Sequence, residues 1–77
     1  MNEGRWPHLD ELIEADGTIN IGQIPPISRA AVAIQQRQVH AMLRIGDGET
    51  LVELLDRLDA AVADALETGV PIDEINR

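Results

Sequence analysis

The chain has 77 residues, no cysteine, a single aromatic residue in Trp6 and a formal net charge of −8. It therefore holds one small domain, burying only about 60% of the surface its unfolded form exposes, with no disulfide or thiolate metal site to reinforce it. Hydrophobic residues at 44% are enough for a globular core and exclude wholesale disorder, while no apolar run approaches the roughly 20 residues that span a bilayer.

Residues 1–10 lack the charged-then-apolar layout of a signal peptide, so a cytoplasmic location is expected. Leu9, Leu12 and Ile13 follow Trp6-Pro7-His8 at helical spacing, and proline is tolerated in a first turn. A short helix is expected over 7–15, ended by Asp16-Gly17. Residues 18–21, Thr-Ile-Asn-Ile, alternate polar and apolar, the period of a strand with one buried face. Gly22 and Pro25-Pro26 close that strand.

Residues 27–45 decide the fold. As a helix, Ile27, Ala30, Ala31, Ile34, Ala41, Met42 and Ile45 share a face, with Arg29, Gln36, Arg37, His40 and Arg44 opposite. As a hairpin turning at Gln36-Arg37, Ala30, Val32 and Ile34 pair with Leu43, Ala41 and Val39. That turn is unfavourable, because two-residue hairpin loops prefer Asn-Gly or a glycine, and its register sets Arg29 against Arg44. In its favour, a strand over 18–21 needs partners for its backbone donors and acceptors. The expected class is α+β, a small antiparallel sheet of two or three strands packed on one long C-terminal amphipathic helix. Three short helices are the alternative.

That long helix is the clearest element. Leu51, Leu54, Leu55, Leu58, Val62, Ala65 and Leu66 recur on one stripe, and Thr50 with Glu53 forms a capping box at the start. Glu53 stands four residues before Arg57, the spacing of a helical ion pair, and Gly69 suits the left-handed stop. The tail Val70-Pro71-Ile72-Asp73-Glu74-Ile75 offers a helical turn from Pro71 with Ile72 and Ile75 on one side. No repeat or low-complexity tract interrupts this single domain.

Charge falls in blocks. Residues 1–16 carry −4, residues 17–46 carry +3 with no acid at all, and residues 47–77 carry −7. A basic middle of this kind docks on acidic flanks, and the net excess aids solubility.

Catalytic constellations are missing. There is no cysteine nucleophile, Ser28 is the only serine, and neither phosphate-cradling nor dinucleotide glycine motifs occur. Gly46-Asp47-Gly48-Glu49 precedes a helix, but its acids repel phosphate and no lysine compensates, so it is expected to be a flexible connector. His8 with Glu11 and Glu14 is a legitimate ligand set, outweighed by an ordinary acidic helix face. Asp56 with Asp59 lies among like charges on a side expected to face solvent. No enzyme activity, metal or cofactor is expected.

The strand from Val39 to Ile45 followed by the long helix loosely resembles a ribbon-helix-helix regulator. The resemblance implies DNA binding through Arg29, Arg37, His40 and Arg44, but a second full helix is absent after Gly69 and the long helix is acidic. Against this alternative stands a non-enzymatic protein-interaction or regulatory module, an adaptor, inhibitor or toxin-neutralising protein. A core this small rarely supplies more than about 3 to 5 kcal/mol, so a homodimer is expected, with Leu51, Leu54, Leu55, Leu58, Val62 and Leu66 as the dimer or core stripe. Arg37, His40, Met42, Arg44, Ile72 and Ile75 are the candidate partner-binding residues.

Overall fold

The computed structural model describes residues 4–24 and 27–75; the Pro25-Pro26 strand stop lies outside them. In chain order the elements are α1 (Pro7–Glu14), β1 (Thr18–Ile24), β2 (Ile27–Gln35), β3 (Gln38–Arg44), α2 (Leu51–Thr68) and β4 (Ile72–Asp73). The strands form one sheet in the order β1-β2-β3-β4, antiparallel except where β4 runs parallel to β3. The class is α+β.

The sheet has one strand more than the two or three expected. β4 is the tail segment that offered a helical turn from Pro71: Ile72 instead lies beside Ala41 and Asp73 beside Met42. Two residues of parallel ladder satisfy part of the outer edge of β3, which a helical turn would leave bare.

Residues 27–45 are a hairpin. The run Ala30-Ala31-Val32-Ala33 is buried without a break, as expected of a central strand flanked by neighbours on both edges, and a one-sided helix would not need it. Ala31, Ala33 and Ala41 are small enough to bring α2 close, and Leu43, Leu54, Leu58 and Val62 fill the space between the layers. Leu9 and Leu12 of α1 complete this single core from the side.

The turn at Gln36 and Arg37 is the expected one, and its chemistry is unfavourable: both residues have positive φ, 51° and 62°, as a type I′ turn requires of both central positions. The register differs from the expected one. Ile34 faces Val39, but a bulge between Ala33 and Ile34 then sets Ala33 against Ala41, Val32 against Met42 and Ala30 against Arg44. One extra residue in β3 thus moves Arg44 off Arg29 and turns Ala41 and Leu43 to the helices, since a one-residue shift exchanges the faces of a strand.

The helix ends follow the sequence closely for α2. Thr50 Oγ1 accepts from Glu53 N–H at 3.1 Å, Thr50 N–H donates to Glu53 Oε1 at 2.8 Å, and Gly69 closes the helix with φ 75°. Helix α1 begins with Pro7, and its N-cap residue Trp6 supplies no side-chain cap. The cap comes from elsewhere in the chain.

Candidate interaction surface

Both helices pack on one face of the sheet, in a core containing Ala31, Ala33, Ala41 and Leu43. Alternation along the strands puts Ala30, Val32 and Ile34 on the other face, where three cross-strand rows are set by the register: Thr18, Ile34 and Val39; Asn20, Val32, Met42 and Asp73; Gly22, Ala30 and Arg44. No described helix lies over these rows. Ala30 and Val32 are buried, yet neither belongs to the core shared with the helices, while Ile34, Val39 and Met42 are half-buried.

Arg44 shares this face with Asp73 of β4, and two further arginines stand in the same hairpin. Arg37 is exposed at the hairpin tip and Arg44 at the far end of β3; Arg29 is exposed at the start of β2. None of the three has an ion-pair partner among the described residues, whose salt bridges involve only Arg5, His8 and Arg57 as cations. Most acids lie on α1, on α2 and in the loops flanking them, while Asp73 stands in β4 beside Met42 and Glu74 just after it. The helix layer is thus predominantly acidic, while Arg29, Arg37 and Arg44 stand in the β2–β3 hairpin with its turn.

Of the expected partner-binding residues, β3 brings Arg37, His40, Met42 and Arg44 together along one strand and its turn. His40 sits in the bulge, without a cross-strand partner. Ile72 packs against the core from β4, and Ile75 is half-buried just beyond it. On α2 the stripe divides: Leu54, Leu58 and Val62 are buried in this chain's own core, Leu55 packs half-buried beside them, and Leu51 and Leu66 are exposed.

Arg57 is the residue whose role sequence spacing mistook. The expected Glu53 pair does not form, because the Glu53 carboxylate is occupied by the capping box. Arg57 instead donates from Nε to Glu49 Oε2 at 2.7 Å, from Nη2 to Glu49 Oε1 at 3.0 Å and to the Arg44 carbonyl at 2.6 Å, and from Nη1 to Glu74 Oε2 at 3.0 Å. Glu74 Oε1 accepts from Arg44 N–H at 3.0 Å, and Glu49 Oε1 accepts from Gly46 N–H at 2.8 Å. One guanidinium thus joins α2, the end of β3, the connector after it and the tail. Its hydrogen bonds, aided by that of Gly46, hold the Glu49 carboxyl at about 2 instead of 4.5, and the Glu49 bond raises Arg57 further above its ordinary range. The connector over 46–49 is accordingly pinned at Glu49. Signals for this were present in the sequence only as a cation, Arg57, in an otherwise acidic helix.

Asp56 and Asp59 have similar duties. Asp59 Oδ1 accepts from the backbone N–H groups of His8 and Leu9 at 2.9 and 3.0 Å, and Oδ2 lies 3.0 Å from His8 Nδ1. It caps α1 across the domain, supplying what Trp6 does not. Asp56 Oδ1 accepts from Trp6 Nε1 at 2.8 Å, and its Oδ2 meets Arg5 at 3.4 Å. These carboxylates stand three residues apart on α2, one turn of the same face, and both face α1.

A pocket of about 220 Å³ opens between α1, α2 and the end of β2, lined by His8, Glu11, Leu12, Gln35, Val62 and Leu66 among others. It is smaller than the roughly 300 Å³ at which small-molecule sites begin. No group of three or more metal-ligating side chains occurs among the described residues, and no described helix is long and apolar enough to cross a membrane. Comparison with protein-family models, with curated proteins and with solved structures finds no match, so any functional reading of this chain stands on its own residues.

Proposed function

We propose that the chain is a non-enzymatic interaction module, an adaptor, inhibitor or antitoxin-like protein, that works as a small acidic dimer and engages a protein partner through its sheet layer. The observation that carries the reading is the set of three exposed arginines, Arg29, Arg37 and Arg44, without ion pairs among the described residues, beside an apolar sheet face that no described helix covers. An acidic partner with an apolar side matches that surface, and opposite potentials speed encounter and exclude wrong partners. By contrast, the groups with chemical potential, His8, Asp59, Asp56, Arg57, Glu49 and Glu74, are engaged with one another and with the backbone.

The ribbon-helix-helix alternative finds less support. Along β3 one edge is bonded to β2 and part of the other to β4, whereas a DNA-reading ribbon pairs two strands that enter the groove together. Three arginines with no aromatic side chain between them also make a sparse nucleic-acid surface.

The test is affinity capture from the source cell with wild type and with the Arg37→Glu, Arg44→Glu double variant, alongside fluorescence anisotropy with duplex DNA at low salt. The expected result is a protein bound by wild type, released by salt and lost in the double variant, with no DNA binding. Duplex binding that disappears in the double variant would replace this reading with the DNA-binding one.

A further inference from the structure

We infer that β1 is the dimerisation edge of this protein, pairing antiparallel with β1 of a second copy about a two-fold axis at Asn20. The inference rests on the proposed function only in taking the chain to be dimeric.

β1 lies at one end of the strand order. In an antiparallel ladder the residues of a strand bond alternately to either side. Ile45 N–H donates to the Arg29 carbonyl, so the odd-numbered residues of β2 turn to β3, and Ile34, Val32 and Ala30 turn to β1. Their partners Thr18, Asn20 and Gly22 are therefore the inward-bonded residues of β1, and Ile19 and Ile21 present their N–H and C=O groups along the free edge. A seven-residue edge of this kind normally carries a lysine, a proline or an inward charge that discourages pairing. Thr18–Ile24 contains none of these, and residues 17–28 form an uncharged stretch in a chain of net −8.

Charge selects the occupant. The α1 and α2 surfaces are acidic and repel a second copy, while β1 meets its own copy without setting any charge against a like one. An axis at Asn20 uses the regular part of the strand before Gly22, whose φ of 124° takes the backbone out of the extended conformation. It places Ile19 of each copy opposite Ile21 of the other, so that both exchange their outward backbone groups. The pairing covers Ile21, which is 40% exposed, with an apolar neighbour on the helix side. Asn20, exposed on the opposite side, meets its own counterpart, and two facing amides supply both donor and acceptor. Antiparallel pairing also sends the two acidic α1 helices, each joined to the Thr18 end of its strand, to opposite ends of the joined sheets.

Sedimentation equilibrium on the full chain tests this with three proteins: wild type, Asn20→Asp and Ile21→Pro. The proline removes an N–H that no bond among the described residues uses, which an edge strand tolerates, and Asn20→Asp sets two carboxylates face to face at an exposed position of the monomer. The expected outcome is a wild-type dimer weakened at least tenfold by each change, with hydrogen exchange at the Ile19 and Ile21 amides slow only in the dimer. A wild type that stays monomeric overturns the inference, and so does a dimer that Asn20→Asp leaves unchanged. The second result leaves a dimeric module using another surface, whereas failed partner capture with an intact β1 dimer refutes the proposed function alone.

Discussion

Replacing Glu49 by glutamine separates the charge of the Arg57 clasp from its shape. Glu49→Gln keeps the side-chain volume and an oxygen for the Gly46 N–H, but deletes the carboxylate that Arg57 grips from two nitrogens. Lowering of the Glu49 carboxyl from 4.5 to about 2 corresponds, at ~1.36 kcal/mol per pKa unit, to an upper bound of about 3.4 kcal/mol. The Glu49 side chain is only 12% exposed, but that of Arg57 is 40% exposed, and screening by solvent reduces the stabilising share to roughly 1 kcal/mol. Because the folded-state value lies below the unfolded one, this contribution is complete above pH 4.5 and is lost as the pH falls toward 2. Urea unfolding of wild type and Glu49→Gln across that range gives the comparison. The variant is expected to be about 1 kcal/mol less stable at neutral pH, with most of the difference gone at the acidic end. A difference independent of pH would refute the charge argument, since only lost packing or hydrogen-bond geometry behaves that way.

Three further substitutions probe other joints. Asp59→Ala removes the cap of α1 and is expected to cost about 1 to 2 kcal/mol, read by thermal melting, with faster hydrogen exchange at the His8 and Leu9 amides than elsewhere. Gln36→Asn with Arg37→Gly relieves two left-handed non-glycine residues and is expected to stabilise by roughly 1 kcal/mol, raising Tm by about 4–8 °C. Gly17→Ala places a methyl 2.7 Å from Leu12 Cγ and 2.9 Å from the Ile34 carbonyl oxygen, and is expected to destabilise by about 1–3 kcal/mol in the same melt.

Elements governed by local rules were legible in the residues. The capping box of Thr50 and Glu53, the Gly69 stop, the central part of the leucine stripe of α2 and the position of the hairpin turn depend on neighbours a few residues apart, and the structure has these, while Leu51 and Leu66 at the ends of the stripe are exposed. What escaped depends on partners distant in sequence. The bulge at His40 exists because the inner face of β3 must match the helices, a condition that strand alternation taken alone does not contain. β4 forms because β3 has an edge to satisfy, and nothing within Pro71-Ile72-Asp73 announces it. Arg57 reaches Glu49 and Glu74 in preference to Glu53 because the connector and the tail converge on α2 only in three dimensions. Asp59 was expected on a solvent-facing side for the same reason: α1, which covers it, lies about fifty positions away, whereas Asp56 does remain exposed.

The capping of α1 by Asp59 also orders events in time. An eight-residue helix is too short to persist by itself in water, where isolated helices under about 12–15 residues are marginal, and its cap lies 51 residues downstream of His8. Helix α1 thus waits, during synthesis, for the fifty or so residues up to Asp59 to follow it out. A chain cut just before Asp59 is expected to leave the amides of residues 7–14 exchanging at random-coil rates, while the intact chain shields them. Of the two helices, the one made first is by this route the last to settle.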